Sequence, residues 1–320
     1  MIQYIVILLD DTSVSFCHYP NKKLERKLMP LDTLKAAILY AMKENLNVQF
    51  VYPDYPLPAE YEEAIEGIDH VKIKPFAVSD GADVVVVNGV VDAESLMGKG
   101  VKFGASYVLR IDRKSLFAQS SLIVSILNKV ARLNIVVTDL ECFSNEDFGF
   151  YQEWLQTLSK AVGNLYLAGK SPQLNLITDR MMLDGMNNCG AGDICVTLCP
   201  NGNFYVCPAF YLSEDGYAIG SLQGGLDVKN PQLYGIDYAP ICRHCDAYQC
   251  KRCIWLNRKM TLEVNTPSHE QCVVAHLERN ESRNLMQILR RYGKFLPDKK
   301  EIQEISYLDP YDMREEWNNQ

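Results

Sequence analysis

Cys189-x5-Cys195-x3-Cys199-x2-Gly202-x4-Cys207 is followed, after a gap, by Cys242-x2-Cys245-x4-Cys250-x2-Cys253 and, after a second gap, by Cys272. Nine of the chain's eleven cysteines lie in this stretch. Thiolates are soft ligands, and at short spacings they hold zinc or an iron–sulfur cluster. Two Cys-x2-Cys pairs with five further cysteines therefore read as metal-binding. The competing reading is a disulfide framework, which needs an oxidising compartment. The opening run Met1 to Asp10 is apolar and strand-length, with no basic n-region and no small-residue cleavage site. The cysteine total is odd, and a chain of 320 residues builds a core without covalent staples. Reduced thiols in a cytoplasmic protein are expected.

Spacing leaves two ligand arrangements open. A local one takes Cys189, Cys195, Cys199 and Cys207 on one site and Cys242, Cys245, Cys250 and Cys253 on the other, leaving Cys272 spare. An interleaved one leaves Cys199 spare instead. Arg243, Lys251, Arg252, Arg258 and Lys259 surround the second group against a single acid, Asp246. Four thiolates on Zn²⁺ or on a 4Fe–4S core leave a charge of about −2, which nearby cations stabilise. The same cations also suit a solvated face or a partner-docking patch. His244 and His269 stand near enough in sequence to serve as supporting donors or alternative ligands. Asn201-Gly202, between short apolar segments, marks a hairpin, and Gly220 marks another turn.

Working outward, residues 1 to about 175 alternate strand-like and helix-like segments. Strands are expected over Tyr4–Leu9, Val48–Tyr52, His70–Ile73, Asp83–Asn88, Tyr107–Ile111 and Leu133–Thr138. Helices are expected over Leu31–Asn45, Ala59–Ile65, Leu116–Ala131 and Tyr151–Val162. Buried β-branched strands alternating with helices make a parallel sheet with crossover helices, most economically a partial (β/α) barrel. A further helix follows from Glu278, and the tail to Gln320 is charged with scattered aromatics, expected to dock on its own domain.

A net charge of −8 argues against a phosphate-binding face, and no apolar run reaches the roughly 20 residues of a membrane span. Phosphate-cradling Gly-x4-Gly-Lys loops and Gly-x-Ser-x-Gly elbows are absent. Asp10-Asp11 and Glu62-Glu63 read as solvated or structural carboxylates, with Asp10-Asp11 at the strand end where barrel sites lie. Cys17 and Cys142 read as buried free thiols, and His18 as structural.

The order Cys189-x12-Gly202-x4-Cys207, Cys242-x2-Cys245-x4-Cys250-x2-Cys253, Cys272 resembles the SPASM domain, which carries two auxiliary 4Fe–4S clusters in radical SAM peptide-modifying enzymes. That pattern usually has x5 and x3 where this chain has x4 and x2, so the departure falls at Cys250 and Cys253. The resemblance implies interleaved sites: Cys189, Cys195, Cys207 and Cys253 for the first cluster, Cys242, Cys245, Cys250 and Cys272 for the second. Cys199 has no counterpart and stands as a buried thiol or substitute ligand. Radical SAM domains are partial barrels whose first loop carries Cys-x3-Cys-x2-Cys. Here the loop runs from Leu9 to Pro20; with Cys17 on the middle cysteine, Ser13 and Pro20 take the other two places. Proline cannot ligate iron, and serine is a poor substitute. The Gly-Gly-Glu expected after the second strand is replaced by Tyr52-Pro53-Asp54-Tyr55-Pro56.

A barrel with this altered loop, joined to a SPASM-like tail, resembles the CXXX repeat peptide maturases. The implied fold is α/β: a degenerate radical SAM-like partial barrel over residues 1–178, a SPASM-like cysteine-rich α+β domain over 179–278, and a C-terminal helix and tail over 279–320. The implied function is an accessory one, binding a Cys-rich precursor peptide or relaying electrons through two 4Fe–4S clusters beside a separate radical SAM enzyme, without S-adenosylmethionine (AdoMet) cleavage of its own. The alternatives are a non-catalytic peptide- or partner-binding module with two structural zinc sites, and an independent redox enzyme.

Overall fold

The β-branched runs of the first half become parallel strands, and the amphipathic segments between them become crossover helices. The computed structural model describes residues 2–102, 104–213, 216–250, 253–293, 295–300 and 302. The longer strands are β1 (Tyr4–Leu8), β2 (Asn47–Val51), β3 (His70–Pro75), β4 (Val84–Asn88), β5 (Ser106–Ile111) and β6 (Arg132–Val137). Short ones follow at β7 (Gln173–Leu174), β8 (Cys195–Leu198), β9 (Phe204–Tyr205), β10 (Gly220–Ser221) and β11 (Gly225–Leu226). Between the early strands run α1 (Leu31–Lys43), α2 (Ala59–Glu66), α3 (Gly89–Lys99), α4 (Arg113–Ala118) and α5 (Ser120–Leu127). The later helices are α6 (Asn145–Leu167), α7 (Thr178–Met182), α8 (Ala209–Leu212), α9 (Ile254–Thr261) and α10 (His269–Arg291). One mostly parallel sheet has the order β7-β6-β5-β4-β3-β2-β1-β8-β9 and does not close. The expected α/β class is thus the observed one. Among the described residues no helix is long and apolar enough to cross a membrane.

The chain divides into two compact units, Met1–Asn88 with Gly190–Gly235 and Gly89–Cys189 with Ile236–Gln320. In the first, β1 is central: Ile5 lies opposite Val48 and Val196, and Ile7 opposite Phe50 and Leu198. This face buries Leu34, Ala37, Ile38 and Ala41 of α1 and Tyr61 and Ile65 of α2. Burying each large aliphatic side chain contributes about 1.5–3 kcal/mol. Helix α1 stops two residues short of Asn45, which takes a left-handed φ of 52° while Leu46 N–H donates to Ala41 O. Asparagine tolerates that conformation, so the helix ends there. The expected hairpin is β8–β9, turned at Gly202 with φ +77°. At Gly220, φ is +133° and a Cβ would sit 2.1 Å from Gly225 O, so only glycine closes the β10–β11 turn.

In the second unit β6 pairs with β5 and β7, all in parallel. The expected helix Leu116–Ala131 is two helices, because Gln119 leaves helical geometry (φ −110°, ψ 30°). Helix α6 begins well before Tyr151 because Ser144 and Asp147 form a reciprocal capping box. Ser268 and Gln271 do the same for α10, which runs unbroken through residues 278 and 279. The two long helices meet where the buried Tyr151 hydroxyl donates to Glu278 (2.6 Å), and where Leu285 would come within 3.3 Å of a Cβ on Gly163. Nearly all of the charged tail lies outside the described residues.

Candidate metal centre

The second cysteine group is built within the second unit by one loop and one helix. Cys242 starts the single 3₁₀ turn Cys242–His244, and the Cys245 N–H donates to Cys242 O at 3.1 Å. The x2 spacing thus places both thiols on one turn. Cys250 packs with Ala247 against Ala275 of α10, with Cys245 and Met186 at the rim. Cys272, Ala275 and His276 are three and four residues apart and share that face of α10. Cys245 Sγ lies 3.6 Å from His276 Nε2 and accepts the Ala247 N–H at 3.4 Å. Cys242, Cys250 and Cys272 are buried, and Cys245 is half-buried.

Of the first predicted set, Cys189 and Cys253 belong to the second unit, Cys195 and Cys207 to the first. Cys253 precedes α9, and its thiol is pushed up to about 12 by burial and then by the neighbouring Cys189. Cys195 heads β8 and Cys207 follows β9. Cys199, in the turn between these strands, is fully buried. Burial, and then the nearby Asp11 carboxylate, push its thiol well above the ordinary range. Among the described residues no three Cys, His, Asp or Glu side chains converge as a metal-holding group.

Charge gives a second test of fit. Arg279, 1% exposed, grips both carboxylate oxygens of Asp246 at 2.5 and 2.6 Å. Arg180, 4% exposed, donates to the main-chain oxygen of Asp246 and lies 4.2 Å from the Tyr248 ring centroid. Its Nε has no hydrogen-bond partner among the described residues, and burial lowers its pKa. Two buried guanidiniums thus flank Asp246 beside the Cys245–Cys250 loop. Nearby guanidiniums stabilise a four-thiolate group of charge about −2. The surroundings of the Cys245–Cys250 loop thus suit an anionic thiolate group, while the thiols themselves do not converge in threes among the described residues.

Arg180 and Arg279 were not among the cations marked in the sequence. Arg243 and His244 are exposed, Lys259 pairs with Glu141 at 2.5 Å, and Lys251 and Arg252 lie outside the described residues. His269 packs edge-on against Phe148, with centroids 5.9 Å apart. His276, which the sequence reading missed, is the imidazole beside Cys245. Its position four residues after Cys272 on one helix was the available signal.

The loop after β1 is organised by hydrogen bonds. Ser13, fully buried, accepts the Asp10 N–H at 3.0 Å and donates to Val51 O at 2.8 Å. Asp10 accepts from Thr12 N–H and Oγ1 and from the Tyr55 hydroxyl at 2.7, 2.6 and 2.8 Å. Asp11 accepts from the Tyr211 hydroxyl at 2.5 Å, with Lys23 4.4 Å from the Tyr211 ring centroid. These carboxylates are structural and buried, not solvated. Glu62 accepts from the Tyr52 hydroxyl at 3.0 Å. His18, read as structural, is buried, while Cys17, expected to be buried, is half-buried. Cys142 is exposed, because the turn it ends directs the adjacent Phe143 inward instead.

No family profile matches the chain, and no curated protein does. Solved structures do. Native anSMEcpe with bound AdoMet and Cp18Cys peptide superposes with a TM-score of 0.59 at 12% identity, over 91% of this chain and 100% of that one. Native anSMEcpe with bound AdoMet gives 0.57 at 12% identity, over 89% and 99%. Streptococcus suis SuiB bound to S-adenosylmethionine gives 0.48 at 12% identity, over 85% and 77%. The structural neighbours are radical SAM/SPASM-type peptide-modifying enzymes at low sequence identity. What this chain shares with them is the fold.

Proposed function

We propose that this chain is an accessory maturation protein for a ribosomally made, cysteine-rich peptide of the CXXX repeat kind. The observation that carries the reading is the packing of Cys245 and Cys250 against α10, the helix that bears Cys272, beside the buried Arg180 and Arg279. That arrangement suits an anionic cluster, in a fold similar to enzymes whose structures hold AdoMet and a peptide. Cys242, Cys245, Cys250 and Cys272 would hold one 4Fe–4S cluster. Cys189, Cys195, Cys207 and Cys253 would hold the other, with Cys199 a buried thiol outside both sets. The nearness of Cys253 to Cys189, and of Cys245 to the helix of Cys272, supports the interleaved sharing over the local one.

Bound clusters would relay electrons to a radical SAM partner or ligate a substrate thiolate. The chain's own residues have simpler tasks. Arg279 and Asp246 hold the cysteine loop, Arg180 supplies positive charge, and His276 orients Cys245. AdoMet cleavage is not assigned to this chain. Ser13 replaces a cluster cysteine and is committed to Asp10 and Val51, and Pro20 offers no donor.

Iron, zinc and acid-labile sulfide measured on protein purified without oxygen test the reading. About eight iron and eight sulfide per chain are expected for two such clusters. About two zinc without sulfide would overturn the redox role and leave a structural, partner-binding module. Cys272→Ser is expected to remove about half the metal and Cys199→Ser none; the reverse pattern would favour the local ligand sets.

A further inference from the structure

Away from the cysteines, the second unit holds a cavity of about 470 Å³, inside the range of roughly 300–1,000 Å³ typical of organic-ligand sites. It lies at the amino ends of its strands: Arg132 and Gln173 are the first residues of β6 and β7 and are paired in register. Chemistry in parallel α/β folds gathers at the carboxyl ends, about 17 Å further along β6 at the usual strand rise. Position alone makes this a place to hold a ligand and not to react it.

The lining indicates which ligand. Arg132 donates to Gln173 Oε1 at 2.7 Å and pairs with Asp179 at 2.5 Å. The ion pair neutralises itself, so among the described lining residues no uncompensated charge selects an ion. Gln249 lies 3.5 Å from Asp179 and accepts from Asn187 at 3.3 Å. Beyond these bonds each glutamine amide keeps a further N–H and a further lone pair, a donor and an acceptor together that match another amide. On the apolar wall, Tyr166 and Phe295 meet edge to face, centroids 5.7 Å apart. The neighbouring edge of β7 is closed to strand addition, since Thr178 Oγ1 occupies both the Leu174 N–H and its carbonyl (2.7 and 3.1 Å). A ligand here must be held by side chains.

We propose that this cavity docks a short neutral stretch of peptide. Gln173 and Gln249 meet its main-chain amides, and an apolar or aromatic side chain lies against Tyr166 and Phe295. The proposal rests on the peptide-maturation reading and names where the peptide is anchored. Gln249 adjoins Cys250, and Asn187 precedes Cys189 by two residues. The anchor is thereby tied to both cysteine segments of this unit.

The test uses the full chain, purified without oxygen. A fluorescein-labelled, terminally blocked hexapeptide with a central phenylalanine flanked by asparagines is titrated by anisotropy. Analogues carrying glutamate or lysine in place of the asparagines are compared with it. Hydrogen exchange then maps the protection. Met182→Trp and Ser171→Trp fill the cavity from exposed positions, and circular dichroism checks that both variants fold. Saturable binding of the neutral peptide is expected, with protection over residues 171–183 and at least a tenfold loss in each variant. Undiminished binding in both variants, with protection elsewhere, would overturn the cavity proposal and leave the peptide reading standing. Equal binding of the charged analogues would overturn the neutral-peptide assignment. If neither the hexapeptide nor a peptide with cysteine at every fourth residue binds, both readings fall.

Discussion

Asp246 stands between two guanidiniums, and the energetics of that residue can be measured apart from any metal content. Removing Arg279 alone strands a carboxylate that is 5% exposed; Arg279→Met is expected to cost about 3–5 kcal/mol, read as a lowered urea midpoint. Removing both charges, Arg279→Met with Asp246→Leu, should recover part of that loss: the desolvation cost of the pair leaves with it, but Arg180 then loses its acid. A double variant as unstable as the single one would refute the ion-pair account. The sequence marked Asp246 as the lone acid among cations, and it named no partner for that acid. Arg180 and Arg279 lie 66 and 33 positions away along the chain, so only folding brings them beside the loop.

Capping sets the lengths of the long helices, and the motifs were present in the sequence without having been used to place their starts. Ser268 accepts the Gln271 N–H at 3.4 Å, and the Gln271 side chain accepts the Ser268 N–H at 3.0 Å, immediately before Cys272. Ser268→Ala should cost about 1 kcal/mol by chemical denaturation, with no loss of helices elsewhere by circular dichroism. On α6, burial pushes the Asp147 carboxyl up, but the Ser144 amide and hydroxyl and the Arg113 guanidinium outweigh this and hold it below the usual range. A carboxyl lowered on folding stabilises fully above its unfolded value, about 3.9, and loses that contribution as pH falls through the lower folded value. Wild type should therefore lose more stability between pH 6 and pH 3 than Asp147→Asn does. An identical loss in the two proteins would show that the box carries no charge component. The break at Gln119 was not legible, since Leu116–Ala131 keeps an apolar period across it.

In the whole molecule, regular structure and thiol clustering fall in different places. The parallel strands have ladder hydrogen bonds and an apolar core of their own, whereas Cys242–Cys250 contains one 3₁₀ turn as its regular structure. Metal removal should therefore act locally. After chelation of anaerobic protein, hydrogen exchange is expected to rise over residues 186–195 and 242–250 while β1, β2 and β6 keep their protection. Simultaneous loss in those strands would make the metal a determinant of the whole fold. The sequence by itself determined the α/β alternation, the β8–β9 hairpin at Gly202 and the segments that carry the thiols. Each of these depends on local period, turn chemistry or spacing, which short stretches of chain contain. The tertiary structure decided that β8 joins β1 in parallel, that His276 faces Cys245, and that Arg180 and Arg279 close on Asp246. Those are long-range pairings, and their energy comes from burial and charge compensation between residues that no local pattern connects.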